Sequence, residues 1–270
     1  MRYIFFSVCI LCLLMMGASC SRDHQQSGQS PASKDTLLLK EHSDSLEVTA
    51  IDDSLLSGNM ASVKSVPDTS QLERNLIAQG LVNILQRDPG IQTDIKYSTT
   101  DNFLHEDVYE DFDKCYLQPE VADMLLKVQT IIKEKDSSLS LIVFDCVRPR
   151  SVQHKMWKIV KGTPQQPYVA PPGGIGSMHN YGAAVDLSLI HLDTGLVDMG
   201  TPFDFFGPQA QPRYEMDYLK KGELTQTQLQ NRWLLRNAMK AAGFEVILSE
   251  WWHFNAFPAE EVRKRFVIVE

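Results

Sequence analysis

An α+β domain is expected from three observations. Apolar residues recur at both helical and strand periods, and the two kinds of segment mix without the regular strand-helix alternation of a parallel α/β fold. The third is size: once a polar N-terminal stretch is set aside, roughly 200 residues remain, enough for one well-buried core. The whole chain has 270 residues, 43% hydrophobic and 22% charged, the balance of an ordinary globular domain with extra chain attached. A net charge of -8 argues against gripping nucleic acid or anionic lipid head groups, because both need clustered Lys and Arg. No nucleic-acid partner is expected.

The chain opens on Met1-Arg2, runs through apolar Ile4 to Met16 and reaches Gly17-Ala18-Ser19-Cys20. That is the layout of a secretory signal. Small residues before a cysteine make it resemble a bacterial lipoprotein signal, in which the chain is cut before the cysteine and the thiol is lipidated. Residues 1–19 are then the signal peptide, Cys20 is the lipidation site, and the protein is exported as a membrane-anchored lipoprotein facing the periplasm. A plain secretory signal with an incidental cysteine is the alternative. Either way Cys9 and Cys12 leave with the signal, and Cys115 and Cys146 meet an oxidising compartment where two thiols can pair. Residues 20–70 hold no aromatic side chain and are rich in Ser, Asp, Gln and Lys, too polar to offset their ordering entropy. They read as a flexible tether to a domain spanning residues 71–270.

Within that domain, Val121, Leu125, Val128 and Ile132 fall at helical spacing in 119–135, with Pro119 at the first turn. Leu139 to Phe144 reads as a buried strand, and Pro149 ends regular structure just after Arg148. Ser151 to Lys161 is helical, and the Pro- and Gly-rich stretch 162–176 is a loop of the kind that borders a site. Ala183 to Leu189 is a strand, followed by a turn at Asp193-Thr194-Gly195 and a second strand. Thr225 and Gln228 form a capping box for a helix that runs to Ala242 and stops at Gly243. Phe244 to Leu248 and Trp251 to Phe254 are strand-like.

Two histidines stand in chemically loaded surroundings: His179, in Ser177-Met178-His179 through Asp186, and His253, in Glu250-Trp251-Trp252-His253. His179, Asp186 and His253 would make the three-ligand set that a catalytic zinc requires while leaving one position open. Residues seven apart on one strand face opposite ways, so His179 must precede the strand that carries Asp186, with Gly182 permitting the turn. Glu250 and His253, three apart, share a site only across a bulge or strand start. Trp251 and Trp252 would give Glu250 a water-poor pocket that raises its pKa into the range of a general base. From spacing alone the same residues also fit an edge carboxylate, a solvated loop histidine and packing tryptophans. The other five histidines read as solvated or packing residues. A Gly-x-Ser-x-Gly elbow, a phosphate-cradling loop and a His-Glu-x-x-His helix are all missing from the sequence.

Together the two segments resemble the signatures of the zinc D-alanyl-D-alanine dipeptidases, Ser-x-His-x-x-Gly-x-Ala-x-Asp and Glu-x-x-His. Every fixed position is met, by Ser177, His179, Gly182, Ala184, Asp186, Glu250 and His253. Further matching stretches are 96–103, Arg148-Pro149, 192–195, Met199-Gly200 and Phe203-Asp204-Phe205. The resemblance implies a compact single domain with a central antiparallel sheet flanked by helices and zinc between its strands. It implies one Zn2+ held by His179, Asp186 and His253, Glu250 as catalytic base and Arg148 as the oxyanion partner. Ser177 and Asp204 are implied as contacts for the substrate's free ammonium. The family commonly has Gly and Tyr where this chain has Cys146 and Val147. The implied activity is hydrolysis of D-Ala-D-Ala to two D-Ala in cell-wall peptide metabolism. A peptidoglycan D,D- or L,D-carboxypeptidase would share the zinc site, and a non-catalytic wall-binding lipoprotein would share the fold.

Overall fold

The computed structural model describes residues 70–270. The expected signal segment, Cys20 and the tether up to residue 69 lie outside the described residues. The described chain begins with α1 (Gln71–Ala78), whose N-terminal amide at Glu73 is capped by the Ser70 hydroxyl. Short elements follow: β1 (Val82–Asn83), α2 (Ile84–Arg87), β2 (Gln92–Thr93) and β3 (Tyr116–Leu117), with β1 and β3 paired antiparallel.

Helix α3 (Pro119–Lys135) matches the sequence expectation in extent, and Val121, Leu125, Val128 and Ile132 are wholly buried. Each such side chain contributes about 1.5–3 kcal/mol by leaving water. They cover one face of the main sheet, built from β4 (Leu139–Asp145), β5 (Ala184–His191), β6 (Gly195–Leu196), β7 (Glu245–Val246) and β8 (His253–Asn255) with β2 at the edge. The path is β2-β4-β5-β8-β7, with β6 pairing β5 in a hairpin. Every pair is antiparallel except β2 with β4.

Alternation along the strands decides which residues meet α3 and which meet the site. Leu141 and Val143 of β4 and Val185, Leu187 and Leu189 of β5 join the core beneath α3. Phe144, Ala184, Asp186 and Ser188 therefore face the other side. Helix α4 (Arg150–Val160) leaves β4 through Pro149, and α6 (Gln226–Ala242) has the expected Thr225/Gln228 capping box and stops at Gly243 in the left-handed conformation, φ 104°. Helices α5 (Glu215–Lys221) and α7 (Ala259–Arg265) complete the α-helices of the described residues. The last strands are shorter than the hydrophobic runs suggest, because 247–252 bends away to carry Glu250 toward the site.

Candidate active site

Three neighbouring strands line up three polar side chains. Asp145 of β4 pairs with Asp186 of β5, and Asp186 pairs with His253 of β8. Directly opposed positions on adjacent strands bring Cβ atoms to roughly 4.5–5.5 Å, so the register itself gathers the groups. His253 is the first residue of β8, the strand start that its spacing from Glu250 demanded.

His179 arrives from a 3-10 turn, Met178–Tyr181, just before β5. Ser177 caps that turn, its hydroxyl accepting from the His179 amide at 3.3 Å, while its own amide donates to Asn180 Oδ1. Gly182 ends the turn with φ 64°, the left-handed region that favours glycine, and a Cβ there would come within 2.9 Å of the Leu81 side chain, which would have to shift.

The three side chains converge. His179 Nε2 lies 3.2 Å from His253 Nδ1 and 3.4 Å from Asp186 Oδ2, and His253 Nδ1 lies 2.9 Å from Asp186 Oδ1. One ligand-type atom from each falls within 4.8 Å of the others. The outward ring nitrogens are also engaged: His179 Nδ1 with the Cys146 carbonyl at 2.7 Å and His253 Nε2 with Asn255 Oδ1 at 2.9 Å. Donation from those nitrogens leaves Nε2 of His179 and Nδ1 of His253 as lone-pair donors aimed inward, the outer-shell pattern of metal-binding histidines. Two imidazoles and one carboxylate of this kind fit a zinc-type cation.

The same proximity sets the charges of the metal-free cluster. Burial would raise the Asp186 carboxyl, yet the His179 and His253 rings beside it hold it well below the usual carboxylate range. Burial would likewise lower His253, but its hydrogen bond and charge interaction with Asp186 push it up to about 9.

Arg148 sits beside the cluster, 7% exposed. Its Nε and Nη2 donate to Asp145 Oδ2 at 3.0 and 2.5 Å, and Nη1 donates to Gln153 Oε1 at 3.1 Å. A guanidinium has five N–H groups, so one on Nη1 and one on Nη2 remain for a ligand. Burial opposes its charge, but Asp145 more than restores it and the pKa lies above the ordinary arginine value. Asp145 is itself fixed by the Tyr109 hydroxyl at 2.7 Å and by the Cys146 amide at 3.0 Å. Two hydrogen bonds join the two site segments: Arg148 N donates to the His179 carbonyl, and the Asn180 side-chain Nδ2 donates to the Arg148 carbonyl.

Cys115 and Cys146 form a disulfide, with Cα atoms 5.3 Å apart. A thiol nucleophile at either position is thereby removed.

A cavity of about 150 Å3 collects these groups with Tyr97, Ser177, Asp204, Glu250 and Trp252 on its walls. Val169 and Ala170 of the Pro- and Gly-rich loop border it as well. Glu250 makes no hydrogen bond to a described residue, and burial raises its pKa above the ordinary glutamate value, with His253 opposing and Asp186 assisting. Trp252 is 1% exposed and packs edge-on against Trp251 and Phe203, each with ring centroids 5.4 Å away. Asp204, at φ 59°, accepts the Tyr97 hydroxyl at 3.1 and 3.2 Å. Burial, then the charge of Asp186, push its carboxyl well above the usual range. All seven residues singled out within residues 71–270 thus line one cavity.

Residues 77–270 match the family described as D-ala-D-ala dipeptidase. The chain belongs to that family. It is therefore a peptidase. D-alanyl-D-alanine dipeptidase of Escherichia coli (strain K12) is 30% identical over 175 residues, covering 65% of this chain and 83% of that protein. The enzyme of the same name from Enterococcus faecium is 31% identical over 191 residues, covering 61% and 85%. That from Enterococcus faecalis (strain ATCC 700802 / V583) is 31% identical over 192 residues, covering 62% and 86%. The sequence reading of this peptidase missed Asp145, Tyr109 and Asn255. Asp145 had one signal, a carboxylate at a strand's end three residues before an arginine; the others act across the fold.

Proposed function

We propose that this peptidase hydrolyses D-alanyl-D-alanine to two D-alanine in cell-wall peptide metabolism, with one Zn2+ per chain held by His179 Nε2, Asp186 and His253 Nδ1. The carrying observation is the convergence of those three ligand atoms on a small cavity that also holds a fixed Arg148 and a pKa-raised Glu250 with no hydrogen bond to a described residue. A bound zinc supplies a Lewis acid that polarises a carbonyl and acidifies water. Glu250 is the base that takes the attacking water's proton and passes it to the leaving amine, a role suited to a carboxylate whose pKa is raised. Arg148 offers its two remaining N–H groups to the charge that develops on the peptide oxygen, already oriented by Asp145 and Gln153.

A cavity of about 150 Å3 falls below the roughly 300–1,000 Å3 of drug-sized sites, which favours a dipeptide over a long stem peptide. Asp204 receives the free ammonium, whose charge offsets the burial and the Asp186 repulsion that otherwise disfavour its carboxylate. Ser177, occupied as a cap, has a second lone pair for the same ammonium. The wall-binding alternative has no use for the Glu250 and Arg148 arrangement. An exported, lipid-anchored protein facing the periplasm remains our reading of 1–20.

Measuring kcat/KM on D-Ala-D-Ala and on N-acetyl-D-Ala-D-Ala tests the assignment. A charge-assisted hydrogen bond contributes about 1.5–3 kcal/mol, so the acetylated substrate should be slower by roughly ten- to hundredfold. Equal rates would transfer the assignment to a carboxypeptidase.

A further inference from the structure

Asp204 lies in a loop whose far side is not packed solid. A second cavity, of about 550 Å3, is lined by the run from Val197 to Asp204 on one side and by Phe103, Phe144 and Ser188 on others. Asp204 and Phe103 face both cavities. The loop is therefore a partition, and close packing cannot by itself fix the carboxylate. One of its residues holds unusual backbone, Asp204 at φ 59°, a left-handed conformation that a non-glycine residue keeps only where the surroundings impose it.

Tyr97 holds the Asp204 carboxylate itself, while the backbone on either side of it is reached by a group on α6. Arg232 is 1% exposed. Its Nε donates to the Met199 carbonyl at 2.6 Å, its Nη1 to the Gln209 carbonyl at 2.9 Å, and its Nη2 to Thr201 Oγ1 at 3.4 Å. One planar fork thus holds both ends of the segment that contains Asp204. The guanidinium also lies 5.8 Å from the Trp251 ring, whose Nε1 donates to the same Thr201 oxygen at 2.8 Å. Trp251 follows Glu250 directly in the chain.

We infer that Arg232 is a positioning residue for substrate recognition: it sets the loop 199–209 so that Asp204 presents its carboxylate to the catalytic cavity. This rests on the reading of Asp204 as the ammonium partner. Glu215 bonds Arg236 through both oxygens and pairs with Arg232 Nη1 at 3.5 Å, so it supplies a buried counter-charge to Arg232. Lysine cannot replace the fork, because one ammonium on a flexible stem does not span two carbonyls and a hydroxyl at fixed angles. The metal-ligating side chains are carried by β5, β8 and the turn before β5, and none of them belongs to this loop.

The test is a double-substitution cycle read on zinc-loaded protein as the ratio of kcat/KM for free over N-acetylated D-Ala-D-Ala. Arg232→Lys should lower that ratio about tenfold, mainly through KM for the free dipeptide, with bound zinc unchanged. Combined with Asp204→Asn, it should add nothing further, because both act through one carboxylate. A ratio that stays at the wild-type value in Arg232→Lys, or effects that multiply in the double variant, overturns the inference. If Arg232→Lys is insoluble, Thr201→Val decides, with about a threefold loss expected and an unchanged ratio overturning it. Should Asp204→Asn alone leave the ratio intact, the ammonium reading falls; should it collapse the ratio while Arg232→Lys does not, only the role of Arg232 falls.

Discussion

Replacing Cys115 and Cys146 together by alanine separates stability from chemistry in this peptidase. The bridge closes a loop of 31 residues that contains α3 and β4, the helix and strand at the centre of the core. Chain entropy makes closing such a loop worth about 3–4 kcal/mol at 25 °C. In a domain of this size each kcal/mol moves the melting temperature by about 2–4 °C, so the double variant should melt roughly 6–16 °C lower. The site itself should survive. Val147 N still donates to the Tyr116 carbonyl at 3.1 Å and Gln118 N to the Gly182 carbonyl at 3.0 Å, holding the strand exits where Cys146 can accept from His179. Circular dichroism melts of metal-free and zinc-loaded protein give the stability change, and zinc content with kcat/KM at 25 °C gives the chemistry. In guanidinium, the slope should also rise, since the uncrosslinked chain exposes more surface when unfolded. A melting shift under about 3 °C would refute the entropic account. Loss of zinc from a folded double variant would show instead that the bridge, and not the backbone bonds, aims the Cys146 carbonyl.

Three other outcomes are expected. Asp186→Ala should lose zinc and activity, whereas Glu250→Gln should keep zinc and lose about 10^2–10^4-fold in rate, because a base is not a ligand; metal undiminished in Asp186→Ala by elemental analysis would sink the site. In metal-free protein, His253 titrates higher folded, about 9, than its ordinary 6.5, so its contribution is complete below pH 6.5 and is lost as pH rises through 9. That is up to about 3 kcal/mol, visible as a melting temperature that falls over this window in wild type but not in His253→Gln. Mature protein should carry lipid on Cys20 and partition with membranes, and mass spectrometry finding an unmodified Cys20 would refute the anchor.

The sequence was most legible where chemistry or backbone fixes a residue locally. Pro119, Thr225, Gln228 and Gly243 set helix ends through hydrogen bonds made within a few residues, and the helices begin and end as expected. His179 and Asp186 were readable for a related reason: a turn through Gly182 is the way to put both on one side of β5. Helix α1 was not readable. Its buried Glu73 is held by Lys114 and Tyr116 at 2.7 and 2.6 Å, from far along the chain, and a carboxylate in an amphipathic stretch gives no sign of a partner yet to come.

The groups that aim the chemistry are of this second kind. Tyr109 reaches Asp145 across 36 residues and Tyr97 reaches Asp204 across 107. Their effect depends on donors left over as much as on donors used. Arg148 spends three of five N–H groups on Asp145 and Gln153, which immobilises a buried guanidinium on the cavity wall and leaves two N–H groups not committed to those partners. A free arginine at that place would have to lose its side-chain freedom during the reaction; here folding has already removed it. Cys146 and Val147, the departure from the common family pattern, leave this arrangement intact because they enter it through backbone atoms: the Cys146 amide and carbonyl and the Val147 carbonyl serve Asp145, His179 and Tyr109. Side chains could change at those positions while the aim of Arg148 was kept.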